Sequence, residues 1–265
     1  MTRSQQPALT LFAIGLIGLN ILALIYGDFA MVWQPVAPWV PGRTALAYLS
    51  GVIMLLGGIA LLFQQTAAWS IRILFPYLII WTLLKVPALF VAPLMEAVWL
   101  GLGELVVLLT GGWILFARLA DLPAGSPFAF LASDKSIRVA RILFAVSLIP
   151  IGLSHIIYVK QTAEFVPAWL PNRPFWAYLT GAGQIACGLG VLLSILPRLA
   201  AVIEAAMISL FTLLVWGPAI IAALRTRLPW TAFFISWVIA AACWVVAQNI
   251  SAKQQAALKT SASAT

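Results

Sequence analysis

The sequence VPAWLPNRPFWAYLTG at residues 166–181 largely repeats the sequence VAPWVPGRTALAYLSG at residues 36–51. Eight of the sixteen positions are identical at an offset of 130 residues, where chance would give roughly one at ordinary residue frequencies. Three further pairs recur at an offset of 131: Pro87 with Pro218, Trp99 with Trp230, and Trp113 with Trp244. The match therefore predicts a tandem duplication.

The composition predicts that most of this chain lies in lipid. Of its 265 residues, 63% are hydrophobic and only 8% are charged, whereas a soluble globular protein has about 25% charged residues. A membrane β-barrel would need alternating apolar and polar positions. The apolar runs are instead continuous and near the ~20 residues that a transmembrane helix requires, so helices are predicted.

The fold class predicted is all-α, a polytopic membrane bundle of eight transmembrane helices in two tandem four-helix repeats. The spans are expected at about residues 8–25, 46–63, 71–90, 98–116, 137–158, 175–196, 199–224 and 230–250. Residues 1–120 form the first repeat, 121–136 a linker, 137–250 the second repeat, and 251–265 a polar tail expected to be disordered. Four spans in each repeat give both repeats the same orientation in the membrane.

The basic residues indicate the orientation in the membrane. The net charge is +8, but no basic run exceeds two neighbours, so nucleic acid is not expected as a partner and anionic lipid is. Nine Lys and Arg residues fall on the predicted side of the two termini and five on the other. This bias predicts an inner-membrane protein with both termini in the cytoplasm.

The second copy of the stretch resembles the DoxX-like integral membrane proteins of bacteria. In that family, a Gly-x-x-His sequence ends the first helix of a four-helix unit, as Gly152 to His155 would here. A Val-Pro-x-Trp-Leu-Pro loop follows, which matches residues 166–171, and a Thr-Gly pair begins the next helix, which matches Thr180 and Gly181. The similarity covers about residues 151–193 and is looser in the first repeat, where the histidine has no counterpart.

The resemblance implies a redox-linked or accessory role in the membrane. Relatives include a small subunit of a thiosulfate:quinone oxidoreductase and a membrane protein that assists maturation of methylamine dehydrogenase, so a quinone is the ligand the family suggests. The family's acidic residue after the Thr-Gly pair is Gln184 here and Met54 in the first copy. Cys187 and Cys243 stand alone in apolar runs, so no redox-active cysteine motif or cysteine metal site is expected.

Lys85 and Glu104 are predicted to lie inside the membrane at equal depth. Each is about ten residues from the turn between the third and fourth spans, and helices rise ~1.5 Å per residue. They could meet as an ion pair, because a charge in the bilayer needs a partner or a cavity. The pair is either a structural salt bridge or part of a substrate or proton site.

The only histidine, His155, is expected near the end of the fifth span. A lone histidine cannot assemble a metal site. It is either a hydrogen-bonded residue of the membrane interface or a polar contact for a quinone-like head group, with Gln184 as a candidate neighbour. Glu204 falls in the first two turns of the seventh span, where the helix dipole favours a carboxylate.

The two copies of the loop share a tryptophan and an arginine: Trp39 and Arg43 in the first, Trp169 and Arg173 in the second. The tryptophans are expected to anchor the loops at the membrane surface. The arginines could bind lipid phosphates, cap a loop carbonyl or contact a partner protein.

Three functions follow from these patterns. The first is a redox-linked or accessory membrane protein with a pocket for a lipophilic ligand in the outer half of the bilayer, with the bilayer and a membrane protein as partners. The second is a small-molecule transporter, because proline breaks recur in both halves. The third is a scaffold without a ligand. No catalytic constellation is visible, so an enzyme is not favoured.

Overall fold

The computed structural model describes the backbone of residues 6–123 and 125–263 and the side chains of residues 6–123 and 125–251. Its α-helices are α1 Gln6–Tyr26, α2 Arg43–Leu61, α3 Gln64–Lys85, α4 Pro87–Val91, α5 Glu96–Leu119, α6 Asp134–Ile157, α7 Val159–Phe165, α8 Arg173–Leu192, α9 Pro197–Phe211, α10 Gly217–Ala222 and α11 Arg227–Ser263. A short 3-10 helix, Ala129–Ala132, precedes α6. A π-helical turn, Thr212–Trp216, joins α9 to α10.

The described residues contain eight helical segments that are long and apolar enough to cross a membrane, as predicted. The third segment combines α3 with α4 and the seventh combines α9, the π-helical turn and α10. The third begins at Gln64, earlier than expected, because only a short turn follows α2. The last helix continues to Ser263, so the expected disorder of the tail was wrong up to that residue.

The two halves of the chain pack in parallel ways. In the first half, α1 packs on α2, α2 on α3, and α3 on α5; in the second, α6 packs on α8, α8 on α9, and α9 on α11. Between the halves, α1 packs on α11 and α6 packs on α5, while α5 and α11 contact each other. The first helix of each half thus packs against the last helix of the other.

Local structure at the start of the second span also recurs. Both α2 and α8 begin at the repeated arginine, after a left-handed residue: Gly42 with φ 67° and Asn172 with φ 50°. Glycine and asparagine are the residues that adopt this conformation most readily.

A hydrogen bond near the start of the last span of each half also recurs. Trp99 in α5 and Trp230 in α11 each donate an indole hydrogen bond of 2.9 Å to the carbonyl six residues earlier.

A proline lies at a helix break near the end of the third span and of the seventh span. Pro87 begins α4 directly after α3 ends. Pro218 lies in the first turn of α10, immediately after the π-helical turn. Proline has no N–H and its ring displaces the carbonyl four residues earlier, which explains a change in helix type at this place. By contrast, α6 runs uninterrupted through Pro150.

Small residues bring two pairs of spans together. A methyl group placed on Gly152 of α6 would lie 2.5 Å from the Gly181 carbonyl oxygen in α8, and one on Gly181 would lie 2.6 Å from the Gly152 carbonyl. At the centre, a methyl on Gly111 of α5 would lie 2.9 Å from the Ala242 Cα in α11. Small residues allow such close approach of membrane helices.

Candidate functional site

A groove on the surface of the second half has the polar lining that a ligand site needs. This second-half groove is lined by residues of α6, α7, the following loop, α8, α9 and the π-helical turn, and has a volume of about 420 Å³. Its polar lining consists of His155, Thr162, Trp176, Thr180 and Gln184, and the remaining lining is apolar. Ligand pockets are typically of this kind, apolar with a few placed polar groups.

His155 is oriented by Thr180 across the close contact of α6 and α8. Its Nδ1 lies 2.9 Å from the Thr180 hydroxyl oxygen, which in turn lies 2.9 Å from the Trp176 carbonyl. A helical threonine hydroxyl donates its one hydrogen to the carbonyl four residues earlier. The hydroxyl therefore accepts from the Nδ1–H of His155. In the neutral imidazole this leaves Nε2 as a hydrogen-bond acceptor without a partner in the described protein.

Gln184 lies one turn further along α8 and is the most deeply buried polar residue of the groove. Its side chain is 2% exposed, and its amide oxygen is buried without a hydrogen-bond partner in the described protein. Most buried polar atoms are hydrogen-bonded, so this carboxamide is an exception at the wall of a cavity.

An aromatic wall and the π-helical turn complete the groove. The ring of Phe211 lies 6.1 Å from that of His155 and 6.3 Å from that of Trp216. Leu214 and Val215 of the π-helical turn also line the groove. Single π-helical turns occur often at functional sites.

The four predicted ligand-binding residues lie in two places. His155 and Gln184 both line the second-half groove, whereas Lys85 and Glu104 do not. The predicted direct contact between Lys85 and Glu104 was wrong. The two side chains interact electrostatically, but they form no salt bridge. The Lys85 ammonium instead donates to the Val32 carbonyl in the loop before α2.

The loop residues also differ between the two copies. Trp39 and Trp169 are 82% and 71% exposed, as interfacial anchors would be. Arg43 donates to the Val36 carbonyl at 3.2 Å, which is one of the three predicted roles. Arg173 is exposed, and no hydrogen bond or ion pair to the described residues is seen for it.

Sequence reasoning missed Asp28, which joins the two halves of the protein. Its carboxylate lies 2.5 Å from Arg43 and 2.9 Å from Arg227 at the start of α11. Arg227 also donates to the Phe29 carbonyl at 2.7 Å. Burial would raise the pKa of Asp28, but the hydrogen bonds from Arg227 and Arg43 outweigh it, so the pKa lies below its ordinary value.

Sequence reasoning also undervalued Glu204 in α9. Its side chain is 0% exposed, and neither carboxyl oxygen has a hydrogen-bond partner in the part of the chain that the structure describes. It lies beside the thiols of Cys187 and Cys243, on α8 and α11. The residue 130 positions earlier, in the first half, is Leu74, which is also 0% exposed.

The Glu204→Leu variant is expected to be more stable than the parent, by about 1–3 kcal/mol, because it removes a buried polar group without partners. Unfolding in mixed detergent micelles would measure the difference. The reverse change, Leu74→Glu, is the matched control and should destabilise the protein by a similar amount. A less stable Glu204→Leu protein would show that the carboxyl group has a stabilising partner.

Residues 136–217 match the family model named DoxX. This region is a DoxX domain. No curated protein and no solved structure matches the chain. Every residue that lines the second-half groove lies within the DoxX domain. With eight candidate membrane spans, the chain is a multi-pass membrane protein that contains a DoxX domain, and its polar groove belongs to the part that matches the family model.

The described residues contain no group of three His, Cys, Asp or Glu side chains placed to hold a metal ion. The chemistry available in the groove is therefore hydrogen bonding by one imidazole and one carboxamide within an apolar wall. Such an arrangement can bind and orient a ligand.

Proposed function

We propose that this DoxX-like protein is a redox-linked or accessory component of the bacterial inner membrane that holds a lipophilic ligand in the second-half groove. The observation that carries the proposal is the buried carboxamide of Gln184, whose oxygen has no partner at the wall of the cavity. Leaving such a group unpaired costs about 1–3 kcal/mol. A ligand head group that bonds to it recovers part of that cost.

The position of the groove suits a ligand that arrives from the bilayer. Leu210 and Leu214 line the groove and are 56% and 43% exposed on the surface of a membrane-length segment. An apolar chain could lie along these side chains while the head group reaches His155 and Gln184. Lateral entry from lipid needs no aqueous path.

A quinone is the cofactor that the family resemblance suggests, and the groove suits its head group. The hydroxyl groups of the reduced form, a quinol, can donate to the amide oxygen of Gln184 and to Nε2 of His155. A bound quinone would supply electron-carrying chemistry. The protein's own residues would bind and orient the ring and exclude water from it.

We also propose that both termini are cytoplasmic, so that the groove lies in the outer half of the bilayer. The bias of Lys and Arg residues toward the side of the termini supports this orientation. Labelling of an engineered cysteine at Ala168, which is exposed in the loop before α8, would test it. The cysteine should react with a membrane-impermeant maleimide added to whole spheroplasts.

Mass spectrometry of small molecules that co-purify in mild detergent tests the ligand. The Gln184→Met variant places the first-half residue Met54 at the equivalent position, and Gln161→Met, exposed in α7, is the control. We expect a lipophilic molecule with the parent and the control and its loss from Gln184→Met. Equal phospholipid alone in all three would contradict the proposal and favour a scaffold.

Transport is the second candidate, because the helix breaks at Pro87 and Pro218 lie at equivalent positions of the two halves. Broken helices at a repeat interface are typical of alternating-access transporters. The buried ionisable residues, however, are not repeated between the halves, since Leu74 is equivalent to Glu204. Solute uptake by proteoliposomes that contain the protein would favour transport over the proposed role of holding a lipophilic ligand.

A further inference from the structure

We propose that each chain binds one neutral lipid whose head group donates a hydrogen bond, because Trp33 and Gln34 fill the equivalent cavity of the first half. The inference rests on the proposed ligand role of the second-half groove and adds the number of sites and the class of head group.

The first half contains a small cavity that shares three of its nine lining positions with the groove. Three residues that line it correspond, at an offset of 130, to three that line the second-half groove: Met54 to Gln184, Leu78 to Ile208, and Trp81 to Phe211. The two spaces differ greatly in size. This first-half cavity has a volume of about 10 Å³, whereas the groove has about 420 Å³.

Two side chains of the chain itself close the first-half cavity. Trp33 and Gln34 both line it and are 2% and 8% exposed. At the same offset of 130 residues the second half has Ala163 and Glu164 in α7, and neither lines the groove. The second-half groove therefore has no side chain at these two positions that would fill it.

Gln34 shows how a polar group is bound in this kind of space. Its amide nitrogen donates to the Ser50 hydroxyl at 2.8 Å, and its oxygen accepts from the Ala30 N–H at 2.9 Å. Ser50 is equivalent to Thr180 of the groove. The first half thus uses its own carboxamide at the place where the second half has an open space beside Thr180.

The unpaired atoms of the groove determine the head group. Nε2 of His155 and the amide oxygen of Gln184 are both acceptors without a partner among the described residues. A hydroxyl or a primary amide of the ligand would supply the hydrogen bond that each of them lacks. Among the described residues no Lys, Arg, Asp or Glu lines the groove, so a charged head group would enter without a counter-ion, which is costly in an apolar site. A neutral donor therefore fits best.

The test compares two probes that differ only in the donor, 1-dodecanol and dodecyl methyl ether, with the protein in phosphatidylcholine nanodiscs. Native mass spectrometry would give the number bound and competition the relative affinity. We expect one dodecanol per chain, bound about 3- to 10-fold more tightly than the ether, which is the worth of one neutral hydrogen bond. In Gln184→Met this preference should fall.

Thr162→Trp places an indole ring at a residue that lines the groove and should abolish binding of both probes, whereas Ala168→Trp, exposed in the loop that follows α7, should not. Equal affinity for the ether, with binding still lost in Thr162→Trp, would overturn the donor requirement and leave the ligand site. Two dodecanol molecules per chain would overturn the closed first half. Binding unchanged in Thr162→Trp would overturn the proposed function as well.

Discussion

The Gly152→Ala variant is expected to lose at least about 3 kcal/mol of unfolding free energy, although it adds a single methyl group. Overpacking usually costs about 1–3 kcal/mol when side chains can adjust. Here the methyl would meet the Gly181 carbonyl oxygen and the Ile185 backbone nitrogen, neither of which can rotate away. The α6 and α8 helices must therefore separate, which also moves His155 away from Thr180.

Gly217→Ala is the matched control, because nothing apart from its neighbours in the chain lies within 4 Å of a methyl group at that position. This variant should unfold within ~1 kcal/mol of the parent, because the better helix propensity of alanine is opposed by the contact of its Cβ with the ring of the following Pro218. Unfolding by sodium dodecyl sulfate, followed by circular dichroism, would compare the two. If both variants unfold at the same detergent fraction, the contact of α6 and α8 is looser than described.

The spans could be predicted from sequence because their signal is local. A run of apolar residues near the length of a bilayer defines a helix without knowledge of its neighbours, and all eight segments lie close to their expected places. Three prolines at positions 35, 38 and 41 are incompatible with a helix in that loop, and the described backbone has none there. The start of α3 was less predictable, because Gln64 to Thr66 are polar residues that still form helix.

The partners of the polar side chains could not be predicted in the same way. Equal depth in the membrane suggested that Lys85 would contact Glu104. That argument considers only the two helices, whereas the Lys85 ammonium donates to the Val32 carbonyl in the loop before α2. Asp28 and Arg227 are 199 residues apart, so no local pattern connects them. For His155 a usable signal existed: Thr180 lies in the repeated stretch and Gly152 and Gly181 mark the helix contact beside it.

The closure of the first-half cavity could have been suspected from the alignment of the two copies. Trp33 and Gln34 stand opposite Ala163 and Glu164 at the same offset as the repeated stretch. A large side chain against a small one indicates different packing. The sequence does not indicate whether the Trp33 side chain points into the protein or away from it, because Trp33 lies in a proline-rich loop without regular structure. The inward direction of this side chain closes the first-half cavity.

Asp28→Ala is expected to destabilise the protein by about 2 kcal/mol. This cost lies between the free energies lost when an exposed salt bridge and a buried salt bridge are broken. The side chains of the cluster are 19–29% exposed, and the change leaves Arg43 and Arg227 without their shared carboxylate. Because Arg227 begins α11, the loss should loosen the contact between the loop before α2 and the last span. Thermal unfolding in detergent would measure it, with Glu164→Gln, an exposed acid in the second half, as the control.

The same cluster predicts a dependence of stability on pH. The pKa of Asp28 is lower in the folded protein than its ordinary value of 3.8, so the unfolded chain binds the proton more readily. The contribution of the cluster is therefore complete above pH 3.8 and is lost as the pH falls through the lowered folded pKa. Asp28→Asn should remove this part of the acid dependence. An unchanged acid profile in Asp28→Asn would show that other carboxylates govern acid unfolding.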